Sequence, residues 1–131
     1  MITFNIPGKP QAKQRPRHGN GFTYTPKETV AYENWVRLCY GNRPKLTGEI
    51  VAEMTFTFSI AKSKTIKMKA LMLSGEIRPT SRPDLDNLAK SVLDSLNGIA
   101  YDDDSQVVEL HVKKIYGSGA GVEVSLMERK E

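Results

Sequence analysis

The run from Ile50 to Ile60 constrains the fold of this chain more than any other segment. Ile50, Ala52, Met54, Phe56, Phe58 and Ile60 occupy alternate positions, with Val51, Glu53, Thr55, Thr57 and Ser59 between them. A period of two sends each set to its own face of a strand, a pattern no helix reproduces. One face is wholly apolar, so the chain must build a sheet and lay other elements against it.

The other elements follow from local signals. Ile2, Phe4 and Ile6 alternate with polar residues and predict a first strand, ended by Pro7-Gly8. Residues 8–24 form a long basic loop rich in Gly and Pro. Thr25-Pro26-Lys27-Glu28 predicts a helix start, with Thr25 as N-cap, Pro26 at N1 and Glu28 closing a capping box. That helix runs to about Tyr40, stops at Gly41 and is expected to bury Ala31, Trp35 and Leu38. Lys62 to Leu73 predicts a cationic helix, capped by Ser63 or Thr65 and stopped by Gly75. A connector with Pro79 and Pro83 leads to a helix capped by Asp84, running to about Asn97 with Gly98 beyond it. Its Leu85, Leu88, Ala89, Val92, Leu93 and Leu96 fall within an arc of about 140°. Two strands, about 106–116 and 121–128, close the chain, and Gly117–Gly121 between them reads as a hairpin turn. The 131 residues suit one domain, 1–131. The expected fold is α+β, one mixed sheet of about four strands with helices packed on a face.

Charge is unevenly spread. Residues 1–82 carry 14 Lys/Arg against 5 Asp/Glu, a net +9, while residues 83–131 carry a net −5, for +4 overall. Such asymmetry suggests a polyanion-binding surface beside an acidic site, although both halves could also be merely solvated. No apolar run approaches the ~18–20 residues of a membrane helix. The segment Met1–Ile6 has neither a basic leader nor a long apolar stretch, so a cytoplasmic location is expected. A single cysteine, Cys39, excludes an internal disulfide and a cysteine zinc cage.

The informative chemistry lies between Asp84 and Asp104. Asp84-Leu85-Asp86-Asn87 places two carboxylates at a helix start, and Asp102-Asp103-Asp104 follows that helix, just before a strand. Hard cations such as Mg²⁺ take oxygen ligands from a few carboxylates, water and substrate phosphate. Other readings compete. Aspartates cap helix N-termini, Asp86 and Lys90 are spaced for an i,i+4 ion pair, and the later run could be a solvated turn. Three adjacent aspartates repel one another, however, unless a cation or basic partner offsets the charge. Leu88 and Ala89 stand where an EF-hand loop counted from Asp84 needs a ligand and a glycine, which excludes that motif. Gly117–Gly121 lacks the Lys-Ser/Thr of a phosphate-binding loop. His18 lies in the basic loop and His111 in a strand, so they do not suggest a catalytic pair.

Lys9, Lys13, Arg15 and Arg17 are spread along a proline-stiffened segment, with Phe22 and Tyr24 after it. Cations so spaced can track phosphates and an aromatic can stack on an unpaired base, though a flexible solvated loop has the same composition. Lys62, Lys64, Lys67 and Lys69 form a second cationic patch, which reads first as a soluble helix face and otherwise as a further phosphate-binding surface.

With these motifs the chain resembles the RusA family of Holliday junction resolvases. Arg82-Pro83-Asp84-Leu85-Asp86-Asn87-Leu88-Ala89-Lys90 is similar to the family's Asp-Leu-Asp-Asn-Leu-x-Lys motif. Asp103-Asp104-Ser105-Gln106-Val107-Val108 is similar to its Asp-Asp-x-Gln-Val-Val motif. Pro7-Gly8-Lys9-Pro10, Arg15-Pro16-Arg17 and Tyr24-Thr25-Pro26 resemble phage-type members, which implies a prophage origin. The resemblance implies that Asp84, Asp86 and Asp104 bind divalent metal, Mg²⁺ with Mn²⁺ as a substitute, and that Lys90 is catalytic. It implies a homodimer that cuts four-way DNA junctions in recombination and repair. Lys9, Lys13, Arg15, Arg17 and Arg82 are then the candidate DNA contacts. A nuclease for flaps or other branched DNA, and a DNA-binding module without catalysis, are the alternatives.

Overall fold

The computed structural model describes residues 1–14, 17–24 and 26–130, and the backbone alone of Arg17. Among these residues six strands and three helices follow in the order β1 (Ile2–Pro7), β2 (Arg17–Gly19), β3 (Phe22–Tyr24), α1 (Lys27–Tyr40), β4 (Ile50–Ser59), α2 (Ile66–Ser74), α3 (Leu85–Ser95), β5 (Val107–Gly117) and β6 (Gly121–Glu128). The main sheet has the order β1-β6-β4-β5, with β4 parallel to β5 and antiparallel to β6. It is the expected mixed four-stranded sheet, with the alternating Ile50–Ser59 segment as β4, and the architecture is α+β.

The most apolar strand sits inside the sheet, where both its edges are paired. Ile50, Ala52, Met54 and Phe56 of β4 are buried with Phe4, Ile6, Val122, Val124 and Leu126 of its neighbours. Val36 and Tyr40 of α1 and Leu88, Val92 and Leu96 of α3 complete this core. The opposite face carries Thr3, Glu53, Glu123 and Ser125, with Thr3 and Ser125 hydrogen-bonded across the strands at 3.1 Å. One covered face and one polar face give the strands their alternation.

Three expectations need correction. Gly117–Gly121 is no hairpin turn, because β5 and β6 do not pair; the segment crosses the end of β4 to reach its other edge. A Cβ at Gly117 would lie 2.6 Å from the Thr57 methyl carbon, so any other residue there would force the Thr57 side chain to shift. In α1 the buried stripe is Thr29, Tyr32, Val36 and Tyr40, while Ala31, Trp35 and Leu38 face outward. The helix is turned by one position, about 100°. Tyr40 meets Phe4 edge-on at 5.2 Å, and Trp35 lies at the margin, where its indole N–H donates to the Pro7 carbonyl at 2.8 Å. The third concerns the basic loop, whose second half forms a small hairpin, β2 with β3, closed through Asn20-Gly21. Gly21 adopts φ +78°, which suits glycine at this turn.

The helix ends are shifted by a few residues from expectation: α2 starts at Ile66 rather than Lys62, α3 ends at Ser95 rather than near Asn97, and Pro26 stands at the N-cap rather than at N1. The Thr65 hydroxyl accepts the Met68 N–H at 3.2 Å, and α2 stops at Gly75 in the left-handed conformation. Pro26 is the N-cap of α1, and Thr25, expected there, lies outside the described residues. Among the described residues no helix is long and apolar enough to cross a membrane.

Candidate active site

Helix α3 and the inner face of β5 enclose a cleft of about 440 Å³. Leu85, Ala89 and Leu93 of α3 and Leu110 and Val112 of β5 form apolar walls, and Asp86, Lys90 and Asp104 complete the lining. The amphipathic pattern of α3 explains this. Leu88, Val92 and Leu96 anchor the helix in the core, which leaves Asp86 and Lys90 at the exposed margin.

Asp84 is the N-cap residue of α3, yet its side chain makes no capping hydrogen bond. Its backbone carbonyl accepts the Leu88 N–H at 3.0 Å, so the helix starts without the carboxylate. Asp86, in the first turn, forms no ion pair among the described residues. The i,i+4 pair that Lys90 makes is with Asp94, at 3.3 Å, and not with Asp86. Asp84 and Asp86 therefore present oxygens that the fold does not otherwise use.

The three adjacent aspartates have separate tasks. Asp102 pairs with Lys45 at the surface. Asp103 caps the 3-10 turn Asp104–Gln106 in a capping box with Gln106, and hydrogen bonds from the Ser105 side chain and backbone hold its carboxyl below the ordinary range. Asp104 alone turns into the cleft. Its backbone N–H donates to Asn97 Oδ1 at 2.8 Å. Below this loop, the fully buried Tyr101 donates its hydroxyl to the Leu93 carbonyl at 2.6 Å. Asn97 and Tyr101 thus tie the Asp104 segment to the end of α3.

Asp94 joins the site, which the motifs did not disclose. Its side chain is only 14 % exposed and lies 3.2 Å from Lys13 Nζ as well as 3.3 Å from Lys90 Nζ. Burial pushes the Asp94 carboxyl up, but hydrogen bonds from Asp104 and Lys13, the Lys13 charge and Lys90 bring it below the usual range. Loss of water, then the hydrogen bond and charge of Asp94, hold Asp104 above that range. The signal was present in the sequence, since Asp94 shares the polar arc of α3 with Asp86 and Lys90.

Among the described residues, no three His, Cys, Asp or Glu side chains converge closely enough to hold an ion by themselves. Asp86 and Asp104 share the cleft, Asp84 stands at the helix end beside it, and Asp104 turns toward Asp94. The donor set nonetheless suits a hard divalent cation: carboxylate oxygens only, two of them without a hydrogen bond or ion pair among the described residues.

The expected DNA contacts divide. Lys9 and Arg82 line a second cavity next to the start of α3. Lys13 is drawn to Asp94, which ties the basic loop to the acidic cleft. Arg15 and the Arg17 side chain lie outside the described residues. Phe22 and Tyr24 stand exposed on the hairpin, their rings 5.7 Å apart. His111 pairs with Glu109 on the outer face of β5, and Cys39 packs at the core margin.

Comparison with known proteins decides the family. Residues 7–127 match the family model described as endodeoxyribonuclease RusA. The chain belongs to the RusA family. Bacillus subtilis (strain 168) has a relative 36% identical over 138 residues, 97% of this chain and 96% of that protein, called uncharacterized protein YqaN. A crossover junction endodeoxyribonuclease rusA of Lactococcus phage r1t is 44% identical over 50 residues, 37% of this chain and 38% of that one. The RusA match spans the acidic cleft, β5 and the connector before α3.

Proposed function

We propose that this RusA-family protein is a homodimer that resolves four-way DNA junctions by paired, Mg²⁺-dependent phosphodiester hydrolysis. The observation that carries the reading is the cleft in which Asp86, Asp104 and Lys90 face one space. Asp84, Asp86 and Asp104 would hold the ion, and Mn²⁺ would substitute for it. Bound there, Mg²⁺ supplies an acidified water and neutralises charge on the phosphate.

The remaining work falls to the chain's own groups. Lys90 donates to the scissile phosphate, and releasing it from Asp94 costs little, because its side chain is 63 % exposed and such i,i+4 pairs contribute about 0.3–0.5 kcal/mol. Leu85, Ala89, Leu93, Leu110 and Val112 form the apolar walls beside which that amine stands. Lys9, Lys13, Arg15, Arg17 and Arg82 bind the DNA backbone. Replacing Lys9 and Arg82 together by Ala is expected to flatten the plot of log affinity against log salt by about 1.8, at ~0.9 per phosphate contact. An unchanged slope in filter binding would remove both residues from the interface.

Labelled four-way junctions, flaps, forks and duplexes, each with and without Mg²⁺, test the activity. The expected result is symmetrical nicking of the junction only when Mg²⁺ is present. Preferential cutting of flaps would favour the branched-DNA alternative, and junction binding without any cleavage would favour a binding module.

Two coordinated nicks require two active sites, which a two-fold dimer on a two-fold junction supplies. Among the described residues β5 is an edge strand paired on one side only, and Val108 and Leu110 on it are 53 % and 41 % exposed. Such an edge invites pairing with a second copy. Sedimentation equilibrium at micromolar concentration is expected to give twice the chain mass of 14.6 kDa without DNA. A monomer that still resolves junctions would remove the dimer from the mechanism.

A further inference from the structure

A second cavity, of about 420 Å³, opens beyond the end of β4 and next to the connector that leads into Asp84. Its lining includes Lys9, Lys64, Arg82 and Lys114, and no carboxylate among the described residues. Phe58 of β4 and Tyr116 of β5 stand side by side in its wall, as direct cross-strand partners. The volume lies in the range of small-molecule sites, about 300–1,000 Å³.

Lys114 sets the character of this cavity. It pairs in register with the buried Phe56, so it occupies the inward row of β5, where an apolar residue would be expected. Its ammonium donates to the Ser81 and Pro83 carbonyls, both at 2.8 Å, and lies 5.6 Å from the centre of the Phe58 ring. An ammonium has three donors, and these two bonds leave one for a ligand. The same bonds fix the backbone that runs directly into Asp84, so the cavity wall and the acidic cleft are one continuous stretch of chain.

Four cations without a carboxylate call for an anion. An aromatic pair beside them calls for a flat apolar group. A nucleotide carries both, but within a duplex its base is stacked and paired and cannot enter a cavity. We infer that this cavity holds one unpaired nucleotide of a branched DNA, its base against Phe58 and Tyr116 and its phosphate among Lys64, Arg82 and Lys114. The inference rests on the reading of the protein as a nuclease of branched DNA. It gives a means of choosing the branch, because a base pair at the crossover opens at lower cost than one inside an arm, and only there would the freed nucleotide lie beside the scissile phosphate.

Amide NMR of the full chain without metal tests the site directly. Thymidine 5′-phosphate is expected to shift Ser59, Lys64, Arg82 and Tyr116 and to saturate at about tenfold lower concentration than inorganic phosphate, in line with the stacking of one base, and at lower concentration than thymidine, which lacks the phosphate. Tyr116→Ala should weaken that binding about tenfold. Lys64→Ala, a change at an exposed residue, should weaken it as well should Tyr116→Ala fail to fold, and Asp86→Asn should leave it intact. An equal response to inorganic phosphate, or shifts elsewhere in the molecule, would overturn the assignment. Four-way junctions with 2-aminopurine at the crossover should brighten on binding, and junctions with the probe inside an arm should not. Thymidine 5′-phosphate binding without that brightening would make the cavity a free-nucleotide site and overturn the DNA inference. If the nucleotide binds and the crossover probe brightens but no junction is cut, the proposed hydrolysis fails and this site stands.

Discussion

Asp86→Asn is expected to lower junction cleavage by at least a hundredfold and to leave junction binding unchanged or tighter. The substitution keeps the size of the side chain and removes one negative charge from the cleft. Folding should survive, because Asp86 is exposed and makes no ion pair among the described residues. What it gives to stability is the interaction of a first-turn carboxylate with the helix dipole, about 0.3–1 kcal/mol. That loss is small beside the ~5–15 kcal/mol that holds an ordinary domain together. A loss of cleavage therefore reports on chemistry, while removal of a charge that repels phosphate favours binding. Calorimetric titration with Mg²⁺ should show weaker binding to the variant. Cleavage by the purified variant at more than about a tenth of the parent rate would mean a barrier change below ~1.4 kcal/mol, too little for a ligand of the essential ion.

The parts of this molecule that are local in origin are legible in its residues. The alternation of Ile50–Ile60 is β4, and the leucine arc from Leu85 to Leu96 is the buried side of α3. Thr65 and Gly75 bound α2 as such residues should. Of the Asp102–Asp104 run, the motif singles out the last member, and the fold turns that one into the cleft while Lys45 and the 3-10 turn occupy the other two.

What was not legible depends on partners distant in sequence. The buried stripe of α1 is set by where Phe4 and the sheet lie, and no periodicity within α1 distinguishes Tyr32, Val36 and Tyr40 from their neighbours by one step. The Gly117–Gly121 segment resembles a hairpin turn until β4 is found between the two strands it joins. Lys114 reads as an ordinary polar residue of an edge strand, and only its register with Phe56 turns it inward to Ser81 and Pro83. Lys13 meets Asp94 from 81 positions away, which no spacing rule foresees. The Asn20-Gly21 pair, by contrast, was a local signal for the β2–β3 hairpin; its flanking strands are three residues each, too short for alternation to show.

Lys90→Ala is expected to reduce single-turnover junction cleavage about 10²–10³-fold at saturating protein, the loss typical of removing one donor aimed at developing charge. The structure separates this effect from three others. Folding loses one exposed i,i+4 pair with Asp94, about 0.3–0.5 kcal/mol, and Lys13 remains beside that carboxylate at 3.2 Å. Ion binding should persist, since the carboxylates are untouched, so a Mg²⁺ titration should resemble that of the parent. Binding of the junction loses one phosphate contact of several, which excess protein overcomes. Lys90→Arg keeps the charge but replaces a compact ammonium by a broad planar fork. It should restore binding and recover only part of the rate, because the longer, planar guanidinium places its donors differently from a compact ammonium. A Lys90→Ala protein that reaches the parent rate once saturated would make Lys90 a DNA-binding residue and leave the phosphate's charge to the ion alone.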